Sequence, residues 1–199
     1  MLDEIRQIHN DIASSRYIET FAAHDKLRAD DVTRLLVLAT GIRSDVDRGR
    51  AYGAIIRHQT LDTQQLTALV TALQAMRSDV DRHIVLDTLA PKIAELAPRN
   101  TQLSTIYVNT LQHMPSPIDR SATLIHLVQT TMLDHDGYAM VLLATEGMNA
   151  DLETCSVLLA VAAVMPADTD LIHRYRKIAR TLGGFERAQA EKALDRFDT

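Results

Sequence analysis

The sequence predicts an all-α chain, a right-handed α-solenoid of about six antiparallel helical hairpins. Ser44-Asp45-Val46-Asp47-Arg48 returns unchanged as Ser78-Asp79-Val80-Asp81-Arg82, 34 residues later. A period of about 34 residues is the length of one helix pair, which buries its apolar face only by stacking on a neighbour. Looser copies follow at Ser116-Pro117-Ile118-Asp119-Arg120, Ala150-Asp151-Leu152-Glu153-Thr154 and Gly183-Gly184-Phe185-Glu186-Arg187. Around the copies apolar residues recur three and four apart, the mark of one helix face and not of a strand. Seven glycines and five prolines in 199 residues are too few for an all-β or disordered chain.

Each element follows from this frame, with the first residue of the motif as position zero. Upstream lie Val32, Leu35, Leu36, Ala39 and Ile42, then Leu66, Leu69, Val70, Leu73 and Met76. The same positions give Ser104, Tyr107, Val108, Leu111 and Met114, then Tyr138, Val141, Leu142, Thr145 and Met148. These residues define a helix A. Downstream, Ala51, Tyr52 and Ile55, Val85, Leu86 and Leu89, Thr123, Leu124 and Leu127, and Val157, Leu158 and Val161 define a helix B. The motif starts helix B: Ser44, Ser78 and Ser116 are N-caps, and Asp47, Asp81 and Asp119 stand where a capping box reaches back. Asp45 and Asp79 place negative charge in the first turn, as the helix dipole favours.

The pairs fall near 1–26, 29–59, 62–93, 99–130, 133–165 and 167–197 of a single helical-repeat domain, 1–199. Residues 1–26 read as an N-terminal cap pair, 27–166 as four central repeats and 167–199 as a C-terminal cap pair, since end repeats of a solenoid are atypical. In the first pair Leu2, Ile5, His9 and Ile12 read as helix A, with Ser14-Ser15-Arg16-Tyr17 as a loose motif. The step from Ser116 back to Ser78 is 38 residues, and Pro91 lies within it. Proline ends or kinks a helix, so the third helix B is expected to break near Pro91 and the stack to bend there, at the one place where two halves could divide.

A net charge of −5 gives no global attraction to phosphate backbones or anionic lipid. Cys155 has no partner cysteine, so disulfides and thiolate zinc clusters are excluded, and a reducing cytoplasm is the expected location. No apolar leader opens the chain, and the most apolar run, 155–165, is too short to span a bilayer.

Few residues point to chemistry. His83, Asp87, His126, His135 and Asp136 are the conceivable metal or acid–base groups, but none has the spacing of a zinc site, so no metal or cofactor is expected. Cys155 sits among Val157, Leu158 and Leu159, which would bury the thiol and raise its pKa. Phosphate-binding glycine loops and the GxSxG elbow do not occur. Arg48, Arg82, Arg120 and Arg187 are read as rungs of a ladder in which the Arg of one unit meets the Asp of the next. The 155–165 helix, apolar all round, is read as buried between repeats or as an exposed face that docks a partner or a second copy of the chain.

The pattern Ile42 to Arg48 and Met76 to Arg82 resembles HEAT-type α-solenoids in general. It resembles more narrowly the bacterial helical repeats with an S-S-D-Y-E-K/R signature that accompany BlaR-type membrane peptidases and anti-sigma-like regulators. Val46 and Val80 stand where that signature has an aromatic. The resemblance implies a HEAT-like interaction module and no enzymatic activity.

The expected function is therefore a non-enzymatic scaffold whose B-helix surface holds a protein or peptide partner. Helical phase nominates Arg50, Arg57, His58, His83, Asp87, Thr88, His126 and Gln129 as contact residues. The alternatives are a nucleic-acid-binding or DNA-repair enzyme on a HEAT-like stack, which would need a basic groove with aromatics, and a self-associating structural protein.

Overall fold

A computed structural model describes residues 8, 10–24, 26–97 and 99–197. Among them are eleven α-helices, a 3-10 turn at Asp195–Phe197 and no strand. The helices are α1 (Asp11–His24), α2 (Ala29–Thr40), α3 (Asp45–His58), α4 (Thr63–Leu73), α5 (Asp79–Leu96), α6 (Thr101–Gln112), α7 (Pro117–Thr130), α8 (His135–Thr145), α9 (Asp151–Val164), α10 (Thr169–Ala179) and α11 (Gly184–Lys192). From α2 onward, even-numbered helices are A and odd-numbered helices are B.

The chain forms two compact units, Met1–Leu89 and Ala90–Thr199. In the first, α1 packs on α3, α2 on α4, and α2 on α3. α3 and α5 are in contact at Gly49, where a Cβ would meet a Val85 methyl at 3.6 Å, an ordinary van der Waals distance. In the second unit, α7 and α11 both pack on α9, while α6 and α10 both pack on α8. Within each unit, then, B stacks on B and A on A, the arrangement of a helical-repeat solenoid.

The apolar frame accounts for the core. Val32, Leu35, Ala39, Leu66, Leu69, Leu73, Tyr107, Leu111 and Val141 are all buried, as are Tyr52, Ile55, Val85, Leu89, Leu124, Leu127, Val157 and Val161. Each large side chain so buried stabilises by about 1.5 to 3 kcal/mol. Two positions depart from the frame. Ser104 is only half-buried because Leu103, one residue earlier, takes the core position, and Met148 is half-buried beyond the end of α8. Gly147, with φ of 75°, makes the turn into α9; that backbone conformation suits glycine because it has no Cβ.

The first repeat is framed differently from the sequence expectation. Ile12 belongs to a B helix, α1, and is exposed, while Leu2, Ile5 and His9 lie outside the described residues. The motif begins at Asn10, whose Oδ1 accepts from the Ala13 N–H at 2.9 Å. Asn caps helices as well as Ser does, so the period runs from Asn10 to Ser44 and Ser14-Ser15-Arg16-Tyr17 lies inside the helix.

The break expected near Pro91 does not occur, because α5 runs from Asp79 to Leu96 with Pro91 inside it. Proline removes one N–H···O bond at a cost of about 3 kcal/mol. Leu86 and Leu89 before it and Ile93 after it are fully buried, at about 1.5 to 3 kcal/mol each. Packing therefore outweighs the lost bond, and the proline ring lies on the exposed side. The two units divide at Leu89 and Ala90, within this helix.

Candidate interaction surface

The repeat motif is spent on joining helices. Ser44, Ser78 and Ser116 accept from the N–H groups of Asp47, Asp81 and Asp119 at 3.3, 3.2 and 3.2 Å. The return arm of a capping box is not made by Asp47: the Ser44 N–H donates instead to Asp11 Oδ2 at 2.9 Å, one repeat earlier. Asp45 Oδ2 in turn accepts from the N–H groups of Arg77 and Ser78 at 2.7 and 2.9 Å. Asp151 Oδ2 accepts from that of Gly183 at 2.9 Å. The rung between repeats is thus a carboxylate on backbone N–H groups, reinforced by the positive end of the helix dipole.

The arginines do not bridge to the next unit's Asp. Arg48 lies 3.7 Å from Asp45 of its own motif and donates to the Ile42 carbonyl at 2.8 Å. Arg82 lies 3.1 Å from Asp79 and donates to the Leu73 and Met76 carbonyls. A guanidinium at this position satisfies carbonyls at the end of helix A, which have no partner inside the helix. Pro117 replaces the rung Asp in the fourth motif, and there Arg120 reaches forward to the carbonyls of Ala144 and Glu146. Burial lowers its pKa to about 10, so it stays charged at neutral pH. Arg187 pairs with Glu191 on its own helix at 2.8 Å, and buried Ser14 and Thr154 stand where the other four motifs have arginine.

The nominated B-helix residues are largely engaged with their own helices. Arg50 lies 3.4 Å from Asp47, and the Arg57 guanidinium lies over Gly53. His83 and Asp87 pair at 3.4 Å, one turn apart, and Thr88 donates to the Ile84 carbonyl at 2.9 Å. His58 is exposed. In the second unit His126 is half-buried and Gln129 exposed.

Other groups gather elsewhere. His135 opens α8, with Nδ1 3.0 Å from Asp136 and Nε2 3.4 Å from Asp168 and 3.9 Å from Asp170. The Asp136 hydrogen bond, helped by Asp168 and Asp170, raises its pKa. The Leu171 N–H, followed by the His135 charge and the Asp170 N–H, lowers that of Asp168, the N-cap of α10. No group of three or more potential ligands is arranged to hold a metal ion among the described residues. Cys155 is buried, and burial raises its pKa, with Glu186 adding to the shift. A cleft of about 340 Å³ lies between α2 and α4, lined in part by Asp30, Asp62 and Gln65. Another of about 380 Å³ is lined by Arg176, Arg180 and Lys192 together with Glu191 and Asp195. No described helix is long and apolar enough to cross a membrane.

One recurrence escapes the internal accounting. At motif position +2 stand Ile12, Val46 and Val80 in the first unit, and Ile118, Leu152 and Phe185 in the second; all six are exposed. The signal is present in the sequence, as an apolar residue beside at least one acid in every motif. Helical periodicity alone does not reveal it, because this residue lies off the buried face. Compared with known proteins, the chain matches no family model, no curated protein and no solved structure.

Proposed function

We propose that the chain is a non-enzymatic, regulatory helical-repeat scaffold that holds a protein or peptide partner in the cytoplasm. What supports this reading is the fixed register of the repeats. Asp11, Asp45 and Asp151 each tie the start of one B helix to the start of the next, so equivalent surface residues recur at regular intervals along each unit. Such a series suits a partner with its own linear pattern better than a compact substrate.

The test is photo-crosslinking of the purified chain in extract from its native source, identification of the adduct by mass spectrometry, and calorimetric titration with the purified partner. Saturable binding at fixed stoichiometry is expected. Failure of every recovered protein to bind when purified would remove the scaffold reading. Retention of DNA or RNA on filters at low salt, falling steeply as salt is added, would replace it with the nucleic-acid reading.

A further inference from the structure

We infer, building on the scaffold reading, that Ile118, Leu152 and Phe185 with Asp119, Glu153 and Glu186 form a docking edge for an extended, basic segment of a protein partner carrying regularly spaced apolar residues. The three apolar side chains are 66, 64 and 69 % exposed, and each is the second residue of its B helix. That position lies outside the hydrophobic staple, which joins the residue before the cap to the fourth residue of the helix. Other motif positions serve the fold, as caps, rungs, dipole partners or carbonyl clamps. Position +2 serves none of these, yet it carries a large exposed apolar residue in all six motifs.

Charge identifies the occupant and selects the unit. Asp119, Glu153 and Glu186 follow the apolar residues directly, and no ion pair engages them among the described residues. Arg120 is buried against carbonyls and Arg187 pairs with Glu191, so the cations that directly follow Asp119 and Glu186 are already held, and Thr154, not a cation, follows Glu153. In the first unit Asp47 is engaged by Arg50, and exposed Arg43 and Arg77 immediately precede their caps. In the second unit Pro115, Asn149 and Leu182 hold the places of Arg43 and Arg77, so its motif edge is the more acidic of the two. Lysine or arginine in the partner would meet these acids, whereas an anionic lipid surface would be repelled.

Spacing sets the partner's pattern. α7, α9 and α11 pack in succession, and packed helices lie about 8–10 Å apart. An extended chain rises about 3.3 Å per residue, so one apolar anchor every third residue, with basic residues between, matches the edge.

The probe is a fluorescent peptide of about twelve residues with leucine at every third position and lysine or arginine between, long enough at about 3.3 Å per residue to cover three repeats. It is measured by anisotropy beside a scrambled peptide and one with glutamate for the basic residues. The full chain is compared with an Ile118→Ser/Leu152→Ser/Phe185→Ser variant and with Glu153→Lys/Glu186→Lys. Circular dichroism and melting serve as controls, because exposed substitutions leave stability within about 0.5 kcal/mol. The patterned peptide should bind the wild type at least tenfold more tightly than the scrambled one and lose at least tenfold on the serine variant. The charge-reversed variant should prefer the acidic peptide. Equal binding of patterned and scrambled peptides, or an unaffected serine variant, would overturn the inference. A cross-linked partner that binds the serine variant as well as wild type would overturn this edge and leave the scaffold reading standing. A wild-type dimer in light scattering that becomes monomeric in the serine variant would assign the edge to a second copy of the chain instead.

Discussion

Asp45 illustrates how one residue can support two repeats. It opens its own helix, where the dipole favours negative charge, and its Oδ2 accepts the N–H groups of Arg77 and Ser78. Hydrogen bonds to a charged group are each worth about 1.5 to 3 kcal/mol, against about 1 kcal/mol for a serine cap. Because the Arg77 bond is solvent-exposed and adds little, Asp45→Ala should destabilise by roughly 2 to 3 kcal/mol in urea denaturation, clearly more than Ser44→Ala; equal losses would show that the rung contributes little. The serine caps were legible from the motif because donor and acceptor lie three residues apart. The partner of Asp45 was not, because it lies 33 residues away and depends on how hairpins stack. The arginines mislead in a related way: beside an acid they look like ion-pair rungs to the next unit, yet Arg48, Arg82 and Arg120 donate to carbonyls at helix ends, and Arg187 pairs within its own helix.

At the scale of elements, α5 and the α8–α10 junction carry opposite lessons. Pro91 reads as a helix breaker, and only the burial of Leu86, Leu89 and Ile93 along one face explains why α5 continues through it. Pro91→Ala restores an N–H bond and should raise stability by about 1 to 2 kcal/mol in the same assay, less than the full helix penalty because proline also restricts the unfolded chain. No gain would mean that the ring packs usefully. At the junction, His135 has its pKa raised above 6.5 and Asp168 has its lowered below 3.8. The histidine's contribution is complete below pH 6.5 and fades as pH rises through the raised value. That of Asp168 is complete above pH 3.8 and fades as pH falls through the lowered value. Wild-type melting temperature minus that of His135→Gln should therefore be greatest between these limits and shrink as pH rises toward 8; a difference independent of pH would deny the ion pairs a role.

For the molecule as a whole, a sum of local interfaces replaces a single core. Fold class could be read from the period alone, since each hairpin must cover its neighbour's apolar face. The first frame was misassigned because Asn10 replaces the serine that marks the other strong copies. Local accounting also predicts unequal protection. In α11 only Ala190 is buried, whereas α9 buries Cys155, Val157, Leu158, Val161 and other residues along its length. Amides of α11 should exchange with deuterium at least tenfold faster than those of α9 by mass spectrometry, as expected for a thinly packed end element; equal protection would indicate one cooperative block. The rungs of Asp11, Asp45 and Asp151 all point the same way, from an earlier hairpin to the start of a later one. A polypeptide leaves the ribosome N-terminus first, so at these junctions the carboxylate awaiting each new helix has already emerged when that helix is made. At these three junctions, synthesis of the chain and assembly of the stack run in the same direction.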